Sequence, residues 1–153
     1  MSESADFTDF NGPRAGGYKI QNVFYSTQYA DLARGSPIVG TPITGYHDDT
    51  SVEGQQNCTF MISYTGGTND LVTFMNPKSQ SYATANALKK KLEGNGNPEV
   101  FKLIESPSSR GEYIICMENS DYVWYLDSNE DSTQIRLAAS PSETDKRQFW
   151  KFM

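Results

Sequence analysis

The chain has 153 residues, 37% of them apolar and 12% aromatic, with a formal net charge of −6. That length suits one domain with its own core. The acidic balance, with no strong basic patch, argues against a nucleic-acid backbone or an anionic membrane as partner, and no apolar run is long enough to cross a bilayer. Nine Tyr and eight Phe, with many Thr, Ser and Gly, favour strands and turns over helices.

Residues 1–16 read as a flexible N-terminal arm, with Phe7 and Phe10 available to pin it to the body. Met1 to Asp9 is polar and acidic and lacks the basic start and apolar stretch of a signal peptide, so the expectation is a cytoplasmic protein or one exported by a route the sequence does not show. From Gly17 to Val23 apolar and polar residues alternate, as in a half-buried strand. Tyr29 to Ala33, Pro37 to Gly45 and, after a polar loop, Cys58 to Ser63 make three more strands between turn signals. The pattern restarts after the turn Thr65 to Asn69. Strands are expected at Leu71–Met75, Ser81–Thr84, Ala87–Leu92 and Val100–Ile104, with a break at Gly94–Pro98. A third start gives Tyr113–Met117, Tyr122–Leu126, Gln134–Leu137 and Gln148–Phe152. Ala83 to Glu93, rich in Ala, Leu and Lys, has the composition of a helix. The register of the repeats makes it strand, turn and strand instead.

The three units align at their closing strands, Gln56-x-Cys58-x-Phe60, Glu99-x-Phe101-x-Leu103 and Gln148-x-Trp150-x-Phe152, whose anchors 58, 101 and 150 lie 43 and 49 residues apart. A period of 40–50 residues carrying four strands is a structural repeat. A four-stranded unit cannot bury its own apolar face, so three must share a core. The expected domain is 17–153, with repeats at about 17–64, 65–106 and 107–153. Twelve short strands in three pseudo-repeats make a closed all-β body with few bare edges.

At those closing strands the sequence resembles the fungal ricin B-like β-trefoil lectins, whose repeat ends in Gln-x-Trp. Gln148-Phe149-Trp150 matches fully, Gln56-Asn57-Cys58 and Glu99-Val100-Phe101 in part. Gly40-Thr41-Pro42-Ile43-Thr44-Gly45-Tyr46 is similar to the middle of the family's repeat. The resemblance implies a β-trefoil fold and a carbohydrate-binding function, with glycans or glycoproteins of galactose or N-acetylgalactosamine type as partners. The family's sugar site uses an Asp, a polar residue 13 positions on, an aromatic 15 on, and an Asn-Gln pair 24 and 25 on. The first repeat offers Asp31, Thr44, Tyr46, Gln55 and Gln56 at those offsets, with Gln55 in the place of the Asn; His47 stands beside Tyr46. A carboxylate at Asp31 makes strong hydrogen bonds to sugar hydroxyls, and the ring of Tyr46 packs on an apolar pyranose face. Repeat two has Thr84 in the place of Asp31. Repeat three keeps Asp127, but its aromatic position falls at about Ala138. One site per chain follows, and avidity would then require a homodimer.

Other β-trefoils of this size from fungi, the mycocypins and cocaprins, inhibit cysteine or aspartic proteases. The alternative partner is therefore such a protease, met through the loops Ser26–Tyr29, His47–Gly54, Asn76–Ser79 or Gly94–Pro98. An enzyme is not expected: the single His47 has no nucleophile in a known pattern around it. No cofactor is expected either, since the acidic pairs Asp48-Asp49 and Glu130-Asp131 lack a calcium-loop frame. Cys58 and Cys116 read as small buried hydrophobes rather than a disulfide, and Trp124 as core.

Overall fold

The computed structural model describes residues 12–66, 69–139 and 141–153. Most of the expected N-terminal arm, Phe7 and Phe10 included, lies outside them. The first strand, β1 (Gly16–Asn22), is followed by β2 (Gln28–Leu32), β3 (Ile43–His47), helix α1 (Val52–Asn57) and β4 (Thr59–Tyr64). Then come β5 (Leu71–Asn76), β6 (Ser81–Asn86), β7 (Lys91–Asn95) and β8 (Phe101–Glu105). The last are β9 (Tyr113–Met117), β10 (Val123–Tyr125), β11 (Thr133–Gln134), β12 (Arg136–Ala138) and β13 (Trp150–Phe152).

Six strands close a barrel. β1 pairs with β4, β4 with β5, β5 with β8, β8 with β9, β9 with β13, and β13 returns to β1, all antiparallel. Closure leaves none of the six with a bare edge. Three hairpins, β2–β3, β6–β7 and β10–β12, cap one end. They are sewn together by β3–β11, by β12–β7 and by a bridge between Pro42 and Glu93.

The core fills the barrel. Phe60, Phe74, Phe101, Trp124 and Trp150 are all fully buried, with Trp124 5.0 Å from Phe74 and 5.4 Å from Phe101, centroid to centroid. Trp124 is core, as its sequence context suggested. Cys58 and Cys116 are both buried and free, and burial pushes the Cys58 thiol up to about 11. No helix among the described residues is long and apolar enough to cross a membrane.

Ala83 to Glu93 is strand, turn and strand. Ala83 and Leu92 are wholly buried, so tertiary pairing overrides their helix propensity, and the Asn86 side chain accepts from Lys89 N to close the turn. Three local expectations differ: the strand placed at Ala87–Leu92 is Lys91–Asn95 and runs into the expected break at Gly94, because residues 87–90 form the turn. The third strand starts at Ile43, not Pro37, because Pro37 to Gly40 forms a loop that ends on Gly40 at φ 90°. The polar loop after it holds the short helix α1, whose first turn is capped by Ser51 Oγ accepting from Gly54 N at 3.0 Å.

Candidate functional site

The first hairpin carries a row of polar residues. Asp31 on β2 stands directly opposite Thr44 on β3, and Thr44 stands opposite Gln134 on β11. Directly paired residues project to the same side of a sheet, and Tyr46, two residues along β3, projects there too. Gly45, between them, turns to the core. A Cβ there would sit 2.8 Å from Leu126 Cδ1, so glycine lets the hairpin lie against that leucine.

The opposite wall comes from the tight turn after β2 (Ala33, Arg34) and from the loop into α1 and the helix itself (Asp49, Gly54, Asn57). Together the two walls enclose a cavity of about 430 Å³. Gly54 is required at this contact, because a Cβ would lie 2.3 Å from Asp49 Cγ. Arg34 takes the left-handed conformation, φ 57° and ψ 14°, a strain that a non-glycine residue carries only where the surroundings enforce it.

Asp31 is only 6% exposed, and among the described residues its carboxyl has no hydrogen-bond partner. Burial pushes its pKa up to about 7; the carboxylates of Asp49 and Asp131 add to the rise and His47 opposes it. Asn57 is the second unsatisfied group. Its Oδ1 is buried without a partner and presses on Gly35, where a Cβ would come within 2.6 Å of it. Unsatisfied buried acceptors cost stability unless a ligand donates to them.

Of the six residues singled out by sequence, the structure gathers Asp31, Thr44 and Tyr46 in the cavity. His47, Gln55 and Gln56 do not line it. His47 stacks on Tyr46 at 4.7 Å and bonds Asp131 through Nδ1 at 2.8 Å and through its backbone N at 2.9 Å. It thus braces the aromatic ring from outside, and the Asp131 carboxylate raises its pKa. Gln55 donates to Asp48 Oδ1 and to Asp49 O, at 2.9 and 2.6 Å, which holds the wall loop in shape. Gln56 is exposed and borders a separate shallow groove with Thr59, Pro77 and Lys78.

The strand register explains the displaced glutamines. Trp150 pairs with Tyr113 and Phe101 with Val72, each two residues before a buried residue of the opening strand; in β1 the corresponding Tyr18 pairs with Phe60. Phe60, not Cys58, therefore takes the anchor position of the first closing strand. Counting back three residues, the place of the family's Asn falls on Asn57 rather than Gln55. A shift of two in the closing-strand alignment would have found it. Arg34, Asp49 and Gln134 carried no signal, since they enter from a turn, a loop and a distant strand. Among the described residues, no group of His, Cys, Asp and Glu is arranged to hold a metal.

No protein-family model and no curated protein matches the sequence. Solved structures do. The chain is similar to the Rhizoctonia solani agglutinin, with a TM-score of 0.79 and 23% identity over 94% of this chain and 98% of that one. It is similar to the Macrolepiota procera ricin B-like lectin, solved in complex with lactose, with a TM-score of 0.75 and 18% identity over 94% and 98%. The fold is a β-trefoil. A third neighbour of this β-trefoil is the Polyporus squamosus lectin, bound to Neu5Acα2-6Galβ1-4GlcNAc, at TM-score 0.72 and 14% identity over 93% of this chain and 50% of that one. Fungal ricin B-like lectins thus stand among the structural neighbours, while identity at this level speaks for the fold alone.

Proposed function

We propose that this β-trefoil is a carbohydrate-binding protein that takes galactose- or N-acetylgalactosamine-type glycans through a single site in its first repeat, the cavity beside its first hairpin. One observation carries the reading. A buried carboxyl, Asp31, stands without a partner at the wall of a cavity that also presents an aromatic ring, Tyr46. Ionised, Asp31 accepts two hydroxyl hydrogen bonds, which are stronger than those to a neutral acceptor. Tyr46 offers a flat apolar surface beside it, held by its stack on His47. The structural neighbours named lectins add support.

The same reading takes the thirteen strands among the described residues as twelve in three related units, Thr133–Gln134 and Arg136–Ala138 being one strand interrupted at Ile135. With one site per chain, a homodimer would supply avidity.

The test is calorimetric titration with lactose, alongside a glycan array, on the wild-type chain and Asp31→Asn. Retention of galactose-terminated glycans, lost in the variant, is expected. Lactose binding that survives the substitution, or an array on which nothing is retained, overturns the proposal.

A further inference from the structure

Gln134 stands at an unusual place. Its side-chain Nε2, with two hydrogens to share, lies within hydrogen-bond distance of three backbone carbonyls, Ile43 O at 2.9 Å, Leu92 O at 2.8 Å and Ile135 O at 2.8 Å. Those carbonyls belong to the first, second and third hairpin regions, which meet here through Leu92 N to Ile135 O and Ile135 N to Ile43 O. Only the nitrogen of an amide can donate, so the contacts fix which way round the group lies. The Oε1 atom is left without a partner among the described residues, on a side chain that lines the cavity.

The register sets the distance. Asp31, Thr44 and Gln134 occupy one cross-strand row, with Thr44 in the middle. Asp31 and Gln134 are therefore two strand spacings apart, about 10 Å. A hydrogen bond of about 2.8 Å at each end leaves room between them for one sugar ring with a hydroxyl on either side. Thr44, 6% exposed, forms the floor.

We propose that Gln134 is a specificity-determining residue of this cavity, a rigid acceptor from the far end of the chain that takes a hydrogen bond from a ligand hydroxyl opposite the one held by Asp31. The inference rests on the carbohydrate reading and adds to it a preference for sugars with donors on both sides of the ring. Because Nε2 is held by three carbonyls, Oε1 has no freedom to turn away. A sugar lacking the matching hydroxyl leaves it facing an apolar group, and such a loss discriminates strongly.

The experiment measures affinity for galactose and its monodeoxy derivatives in the wild type, Gln134→Lys and Asp31→Asn. Lysine keeps a donor for the three carbonyls and removes the acceptor. In the wild type one deoxy position should cost about tenfold through the Gln134 contact. In Gln134→Lys galactose itself should weaken by that factor and the same deoxy penalty should vanish. A second readout needs no variant: the Gln134 side-chain amide NMR signals should shift on addition of galactose and stay in place with the penalised deoxy sugar.

Wild-type affinity and an unchanged set of penalties in folded Gln134→Lys overturn the inference, and where Asp31→Asn still abolishes binding, the carbohydrate reading stands. Should Gln134→Lys not fold, amide signals that ignore galactose decide against it. A folded wild type that binds neither galactose nor lactose removes both readings together.

Discussion

The first and third hairpins fill corresponding places in the cap, and they differ in what they leave unsatisfied. Ile43 and Ile135 meet at the centre of the cap, and counting outward from them sets Tyr125 at the place of Asp31, Arg136 at that of Thr44 and Ala138 at that of Tyr46. In the third hairpin the polar side chains Tyr125 and Arg136 on that outer row find partners in the chain, while the indole Nε1 of Trp124, buried in the core, has none among the described residues. Tyr125 Oη donates to Asp145 Oδ2 at 2.7 Å, Arg136 lies over the Tyr125 ring at 4.4 Å, and Arg136 grips Asp127 with two bonds of 2.6 and 3.0 Å. Around the first hairpin, Asp31 and, from helix α1, Asn57 Oδ1 are buried and unpaired among the described residues, and Arg34 is strained. The outer row of one hairpin is saturated and therefore structural. The other is bordered by unsatisfied acceptors around a cavity of about 430 Å³.

The comparison breaks most severely if the shared core is removed. Trp150→Ala, in the third closing strand, should cost about 3–5 kcal/mol in denaturant unfolding and abolish the cavity of the first hairpin with it. Next is Asp31→Leu. Removing a buried, unpaired carboxyl whose pKa stands at about 7 should stabilise the chain by about 2–4 kcal/mol at pH 8 while ending sugar binding. A loss of stability instead would mean that Asp31 has a partner that supports the fold.

The pH dependence follows from the same shift. The folded-state pKa lies above the ordinary carboxylate value, so the native state binds more protons than the unfolded chain between about pH 4 and 7. This contribution makes the protein most stable at the acid side of that window and is lost as pH rises through it. Asp31→Asn should flatten that part of the stability profile. Sugar affinity runs the other way, falling about tenfold per unit below pH 7 as Asp31 is protonated; a titration unchanged between pH 5 and 8 would contradict it. Gly45→Ala, which sets a methyl group 2.8 Å from Leu126, should cost about 1–3 kcal/mol and weaken binding by tilting β3. The smallest effect is expected of Arg136→Ala. Arg136 and its partner Asp127 are both about half exposed, so stability should change by less than about 1 kcal/mol, and no second sugar site should appear on titration.

The architecture was legible because each closing strand pairs with an opening strand of the same alternation, and because turn residues punctuate the chain at regular intervals. Of the candidate site, half the lining proposed from sequence borders the cavity. Asp31, Thr44 and Tyr46 lie on one hairpin, where offsets along the sequence translate directly into neighbours. Gln55 and Gln56 could not be placed that way. Helix α1 occupies the segment between β3 and β4, and the anchor moves from Cys58 to Phe60. Asp127 could not be placed either, for Tyr125 stands where the spacing set that acid. Gln134 lies 90 residues from Thr44 in sequence and is its neighbour only through the pairing of β11 with β3, a relation that no local pattern carries.

That pairing also governs when the site comes into being. The cavity needs Asp31 from the beginning of the chain, Asn57 from α1 and Gln134 from the last hairpin region, and the barrel closes only when β13 reaches β1. Contacts between such distant segments place folding in the slow range for small domains, about milliseconds to seconds. No partly folded chain can hold the ligand, so a sugar that binds acts on the native state alone. It should then raise the unfolding temperature in proportion to the logarithm of its concentration, which turns a simple melting curve into a binding assay.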